Sequence, residues 1–349
     1  MQKKNCMSPH NHMKTVRINE MEEKMPEQAD HTAGIRPFSL HEALRYGEQY
    51  LRDCGIEDAA SDAWLLLEFV TGIRRAFFLA ERRSLMEEKS QERYFGLLKK
   101  RGSHIPLQHL TGEQEFMGLP FLVNEHVLIP RQDTEILVEE ALKRVQPGMR
   151  ILDLCTGSGC IAVSIAKLAL DIVRQVKTAD FAQMNGRHGN TADGGEPEHT
   201  DSRRIITVDG SDVSSEALAV AQENIRRLGA PVRLMQSDLF EQVTDSYDMI
   251  VSNPPYIRTS VIEELSEEVR LHEPYGALDG KEDGLYFYRR ITEESTGHLN
   301  PGGWLLFEIG YDQAEDVTGM MQSAGFADVQ VYRDLAGLDR VVAGRRLDL

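Results

Sequence analysis

The chain has 349 residues, 41% of them hydrophobic and 27% charged, enough to build the cores of two domains. Its formal net charge of −17 argues against an extended duplex nucleic acid as the main partner, because affinity there comes largely from Lys and Arg neutralising phosphates. No run approaches the ~20 consecutive apolar residues of a membrane span, and the polar N-terminus has no apolar signal-peptide core. The four cysteines, Cys6, Cys54, Cys155 and Cys160, form no C-x-x-C pair, so the expectation is a cytoplasmic protein with neither a disulfide framework nor a metal site.

Residues 1–36 are polar, show no apolar period and read as a disordered extension. From Phe38 the period becomes helical. Ser39 is a candidate N-cap for a helix that carries Leu40, Ala43, Leu44, Tyr50 and Leu51 on one stripe and closes at Gly55. Further helices are expected over Ala59 to Val70, Arg74 to Ala80 and Glu87 to Lys100, giving a small all-α domain over 37–104. A β-hairpin linker follows over 105–130, its two apolar runs broken at Gly118 and Pro120. Asp133 or Thr134 is placed to cap a helix running to about Val145, capping being the first reading of this polar cluster and facing a bound ligand the alternative.

Residues 131–349 alternate strands and helices. Strands are expected over Arg150 to Leu154, Ile205 to Asp209, Val232 to Gln236, Asp248 to Val251, Gly303 to Ile309, Val329 to Tyr332 and Arg340 to Ala343. The last two are too close together for a crossover helix and should pair antiparallel. This is a doubly wound, Rossmann-like α/β sheet of seven strands with one reversed. Residues 171–204 are polar and Gly-rich, interrupt that rhythm and read as a surface insertion.

Four strand ends carry polar groups. Asp153-Leu154-Cys155-Thr156-Gly157-Ser158-Gly159 joins the first strand to its helix; Gly157, Gly159 and Ala162 satisfy the loose dinucleotide pattern, and no Gly-Lys-Ser/Thr follows, which excludes a nucleoside triphosphatase loop. The second strand should end in an acid able to hold both ribose hydroxyls. Asp180 has the usual spacing, but Asp212 precedes a capped amphipathic helix and is chosen, with Asp209 a nearby rival. After the third strand, Asp238 can bond an adenine amine, and Leu239 or Phe240 can cover the ring. After the fourth comes Ser252-Asn253-Pro254-Pro255-Tyr256. Two consecutive prolines stop the strand in a rigid extended turn that presents an amide, carbonyls without competing N–H groups and an aromatic face. Those groups suit a planar NH2.

The glycine loop with Asn-Pro-Pro-Tyr resembles the class I S-adenosylmethionine-dependent methyltransferases that modify a planar nitrogen. The stretch Pro106 to Glu135, the loop Asp153 to Ala162, Ser252 to Ile257, Glu273-Pro274 with Ala277-Leu278 and Asp283-Gly284-Leu285, and Asp334-Leu335-Ala336-Gly337 with Asp339-Arg340 look like the protein-(glutamine-N5) methyltransferase (HemK) family. The resemblance covers roughly Phe38 to Ala343. It implies methyl transfer from S-adenosylmethionine to the glutamine amide of a Gly-Gly-Gln loop in class 1 peptide chain release factors, with a helical domain that contacts the factor. Asn253, Pro254, Pro255 and Tyr256 would hold the acceptor, and Cys155, Thr156, Gly157, Ser158, Gly159, Asp212, Asp238, Leu239, Phe240 and Asn253 the cofactor. The sequence departs from the family at Gln132, where proline is frequent, at Cys155, where glycine is common, and at Leu239, often an aromatic. An N6-adenine nucleic-acid methyltransferase shares the tetrapeptide but calls for a basic recognition surface. A catalytically silent S-adenosylmethionine-binding scaffold would not need an intact tetrapeptide, and a nicotinamide dehydrogenase leaves it unexplained.

Overall fold

The computed structural model describes residues 36–170 and 206–347; the expected extension before Arg36 and the 171–204 insertion, with Asp180, lie outside the described residues. The chain divides into two compact units at Thr111/Gly112. Among the described residues no helix is long and apolar enough to cross a membrane.

The first unit is helical: α1 (Leu40–Asp53), α2 (Ala59–Thr71), α3 (Arg75–Glu81), α4 (Glu88–Gly102) and α5 (Leu107–Thr111). Ser39 caps α1 in a reciprocal box with Glu42, so two backbone donors that the helix leaves orphaned find partners. Leu40, Ala43, Leu44 and Leu51 turn inward with Trp64, Leu66, Leu67 and Leu98. A Cβ at Gly47 would sit 2.2 Å from the Tyr94 hydroxyl, so only glycine lets α1 and α4 approach this closely. Helix α5 was expected as linker. Pro106 opens it, accepting from His109 and Leu110, and Leu107 and Leu110 pack on the helical core; that burial outweighs the β-rich appearance of the stretch.

The second unit starts with a hairpin of β1 (Glu113–Phe116) and β2 (Leu119–Leu122), turning at Met117 and Gly118, both at positive φ. Pro120 does not break it but pairs with Glu115, which is tolerated because each strand of a two-stranded ribbon has an open edge. A 3-10 turn (Gln132–Thr134) leads into α6 (Glu135–Leu142). Then come β3 (Arg150–Leu154), helix α7 (residues 160–170), β4 (Thr207–Asp212), α8 (Ser215–Leu228), β5 (Val232–Gln236) and β6 (Tyr247–Ser252). Three unexpected short helices, α9 (Thr259–Ile262), α10 (Glu267–His272) and α11 (Tyr275–Leu278), precede α12 (Tyr286–His298), β7 (Leu299–Glu308), α13 (Ala314–Ser323), β8 (Phe326–Arg333) and β9 (Asp339–Arg346).

The seven-stranded sheet has the order β5-β4-β3-β6-β7-β9-β8, with β9 antiparallel to both neighbours and all other pairs parallel. From β3 the chain winds outward through β4 and β5, then returns to β6 on the other side. The loops after β3 and β6 therefore diverge and open a crevice at the carboxyl edge. Ile151, Val163, Val208, Val251 and Leu306 lie in the apolar layer on one side; Leu152, Ile250, Tyr288, Leu305 and Phe307 lie in the other.

Candidate active site

A cavity of about 220 Å³ opens at this edge, lined by Cys155, Thr156, Gly157, Ser158, Asp212, Asp238, Leu239, Asn253 and Pro255 among others. One wall is the loop after β3. Thr156 donates its N–H to Ser211 O at 2.9 Å and Gly159 donates to Thr156 O at 2.8 Å, drawing the loop over the end of β4. Gly157 and Gly159 have φ of +54° and +79°, and a Cβ at Gly159 would lie 3.2 Å from that of Ala221 on α8. Cys155 also has positive φ, 60°, so it occupies the conformation glycine adopts freely at a cost a side chain must bear. Burial raises its thiol pKa, which keeps it neutral.

Strand β4 runs to Asp212, three residues beyond the expected end at Asp209. Asp212 accepts from Gly157 N (2.9 Å) and Ser214 N (2.9 Å), and burial raises its pKa against those bonds. Asp209 is elsewhere: it holds Arg233 with two bonds of 3.0 and 2.7 Å and accepts from Tyr247 Oη at 2.8 Å. It supports the sheet and does not line the cavity.

Asp238 lines the cavity while Oδ1 pairs with Arg290 Nη1 at 3.0 Å. Leu239 is buried at φ 48°. Phe240 is not among the lining residues; its ring stacks on His298 with centroids 4.7 Å apart, so of the two candidates for the ring cover it is Leu239 that reaches the cavity. Gly159, Pro254 and Tyr256 are likewise absent from the lining. Tyr256 is held from behind: Gln313 Nε2 donates to its carbonyl at 3.1 Å, and a Cβ at Gly280 would meet its backbone at 2.7 Å. Its phenol is raised in pKa by burial.

Several residues in or behind the cavity were not named from sequence as binding residues; the first, Asp153, lies outside the lining. Asp153 is fully buried, accepts from Thr156 Oγ1 (2.6 Å) and Ala162 N (3.1 Å), and burial pushes its carboxyl up to about 7. Its Oδ1 and Ser158 Oγ have no partner among the described residues. Its position at the carboxyl end of the first strand was the available signal. Ile161, Val213 and Phe287 add apolar lining. Arg131 lines the cavity and meets buried Glu273 at 2.5 Å. Thr134 stands at the N-cap position of α6, one of the two expected, but its side chain makes no cap bond; its Oγ1 accepts from Asn253 Nδ2 at 3.4 Å.

The chain matches the PrmC N-terminal domain over residues 42–112 and the methyltransferase small domain over 198–269. The release factor glutamine methyltransferase of Geobacter sulfurreducens is 40% identical over 309 residues, covering 88% of this chain and 97% of that protein. That of Caulobacter vibrioides is 35% identical over 312 residues, 88% and 96% of the two chains. A solved protein-(glutamine-N5) methyltransferase (release factor-specific) from Alicyclobacillus acidocaldarius is 30% identical, covers 63% of this chain and 95% of its own, and superposes with a TM-score of 0.34. With its sequence alike along almost the full length of these relatives, the chain belongs to the release factor glutamine methyltransferase family.

Proposed function

We propose that this chain transfers a methyl group from S-adenosylmethionine to the side-chain amide nitrogen of the glutamine in the Gly-Gly-Gln loop of class 1 peptide chain release factors, in the cytoplasm. One juxtaposition carries the assignment: Asn253 and Pro255 line the same cavity as the Cys155–Ser158 loop, Asp212 and Asp238.

The residues present fit the cofactor. Ser158 lines the cavity and its buried Oγ lacks a partner among the described residues, a Cβ at Gly157 would meet nothing within 4 Å, and Ile161, Val213, Leu239 and Phe287 supply apolar faces. The loop from Cys155 to Gly159 would hold the methionine end, Asp212 the ribose hydroxyls, and Asp238 with Leu239 the adenine. When bound, S-adenosylmethionine supplies a sulfonium methyl as electrophile.

An amide nitrogen is a poor nucleophile because its lone pair is delocalised into the carbonyl. Asn253 lines the cavity, and its Oδ1 accepts an N–H bond of the glutamine, orienting the nitrogen and favouring the positive charge that develops on it. The Pro254 carbonyl, outside the lining, is the proposed acceptor of the second N–H once substrate is seated. The prolines keep competing backbone donors out of the turn. The methylated nitrogen then sheds its proton to solvent, so no strong base is required beforehand.

The helical domain is the proposed recognition surface for the rest of the factor. Phe77, Leu79 and Leu85 are 63%, 71% and 65% exposed on it, large apolar groups that a monomeric fold normally buries or uses for contact. The net charge of −17 gives no electrostatic basis for a stable nucleic-acid partner. Incubation with labelled S-adenosylmethionine and either purified release factor or DNA tests the assignment. One methyl on the release-factor glutamine by mass analysis is expected; label on adenine, or on neither, overturns it.

A further inference from the structure

An asparagine that grips an NH2 group must present its oxygen, yet its amide has two ends of similar shape and opposite polarity. Turned over, Asn253 would aim N–H donors at the donors of the substrate. Three residues outside the Asn-Pro-Pro-Tyr turn bear on which end faces the cavity. The last paired residues of β6 and β7 are Ser252 and Phe307, so Asn253 and Glu308 follow side by side past the end of the ladder. Glu308 is 1% exposed and its Oε2 has no hydrogen-bond partner among the described residues; burial raises its carboxyl pKa, and the neighbouring Thr134 and Asn253 side chains lower it. Thr134 is 3% exposed, lines the cavity, and accepts from Asn253 Nδ2.

We propose that Thr134 and Glu308 are positioning residues that lock the Asn253 amide with Nδ2 inward and Oδ1 toward the acceptor nitrogen. Thr134 alone does not set the polarity, since a hydroxyl both donates and accepts. An ionised carboxylate only accepts. Glu308 therefore takes the Thr134 hydrogen, leaves only lone pairs facing Asn253, and attracts Nδ2 itself. The hydroxyl transmits the direction and the carboxylate decides it. Burial and the charge of Asp133 oppose ionisation of Glu308; Arg340, which bonds Asp133 and Asp334 at 3.2 and 3.0 Å, contributes a positive charge that favours it. The inference rests on Asn253 being the acceptor-binding residue.

The test uses the full chain at about pH 8, where the carboxylate is ionised, with purified release factor. Thr134→Val keeps the shape and removes the hydroxyl; Thr134→Ser restores it. The expected result for Thr134→Val is a fall in kcat of about tenfold or more with KM changed less than about threefold, because remote contacts still hold the factor while the amide is misaligned. Affinity for S-adenosylhomocysteine by calorimetry should stay within about twofold, and Thr134→Ser should recover to within about threefold of wild-type kcat. Glu308→Gln, which can donate as well as accept, should lose kcat as Thr134→Val does. Full activity of Thr134→Val or of Glu308→Gln overturns the lock, as does equal impairment of Thr134→Val and Thr134→Ser, which would mark a packing effect. Wild-type turnover by Asn253→Ala would instead overturn the acceptor assignment beneath it.

Discussion

Asp212 Oδ2 accepts the backbone N–H of Gly157 at 2.9 Å across 55 positions of sequence. The acid at the end of the second parallel strand and the glycine loop after the first are thus one wall of the cavity. The bond also separates Asp212 from its rival Asp209, whose carboxylate is consumed by Arg233 and Tyr247.

The two acids should respond oppositely to removal. Asp212→Ala is expected to weaken S-adenosylmethionine binding about tenfold or more, since both a ligand acceptor and the loop's anchor are lost. Asp209→Ala is expected to leave affinity within about twofold but to cost about 1–3 kcal/mol of stability by stranding the buried Tyr247 hydroxyl; Arg233 keeps Asp245 at 2.9 Å. Calorimetric titration and urea denaturation on both variants check this; weaker binding in Asp209→Ala and unchanged binding in Asp212→Ala would reverse the assignment.

Asn253→Ala should abolish methyl transfer, by about 100-fold or more, while cofactor affinity changes less than about threefold. Scintillation counting of the release factor and calorimetry report the two quantities separately. Loss of both together would place Asn253 in cofactor binding rather than at the acceptor.

Cys155 at φ 60° inverts the usual preference for alanine over glycine. Cys155→Gly should be more stable than Cys155→Ala by about 1 kcal/mol, because glycine enters the left-handed region without the Cβ penalty. Comparing two variants that both lack the thiol isolates the backbone term. Thermal melts showing alanine equal or superior would contradict the strain.

Burial pushes Asp153 and Glu308 up to about 7 from ordinary values of 3.8 and 4.5. Both acids keep their protons in the folded chain to higher pH than in the unfolded chain. Between about pH 4 and 7 the folded state binds the extra protons, so these groups lower stability as pH rises and stop doing so above about 7. Asp153→Asn removes one titration, so its urea midpoint relative to wild type should rise between about pH 5 and 8. A difference that stays constant over that range would show that Asp153 does not titrate there.

Much of the molecule follows from local chemistry. The Ser39 N-cap, the apolar stripe of α1, the hairpin break at Gly118 and the antiparallel β8–β9 pair are written in short-range pattern, and each is found where that pattern puts it. Asn253 as the end of a strand followed by two prolines is equally local, because proline has no N–H with which to continue a ladder. Other features depended on what packs against what. The stretch from Leu107 reads as linker until the helical core buries Leu107 and Leu110. Pro120 breaks a strand only where a neighbour needs its hydrogen bond, and none does in the β1–β2 ribbon. Phe240 looks like a ring cover until His298 stacks against it.

The sequence by itself determined the elements, the alternation that makes a doubly wound sheet, and the residue types standing at four strand ends. Those depend on dihedral preference and on hydrophobic period, which neighbouring residues set. Tertiary structure separated the chosen Asp212 from its rival Asp209, which does not line the cavity, and decided what Thr134 does. Thr134 stands beside a helix start, where capping is the local expectation, yet its hydroxyl meets Asn253 from 119 positions away. A side chain that both donates and accepts takes its role from its partners, and the winding of β6 and β7 brings those partners together.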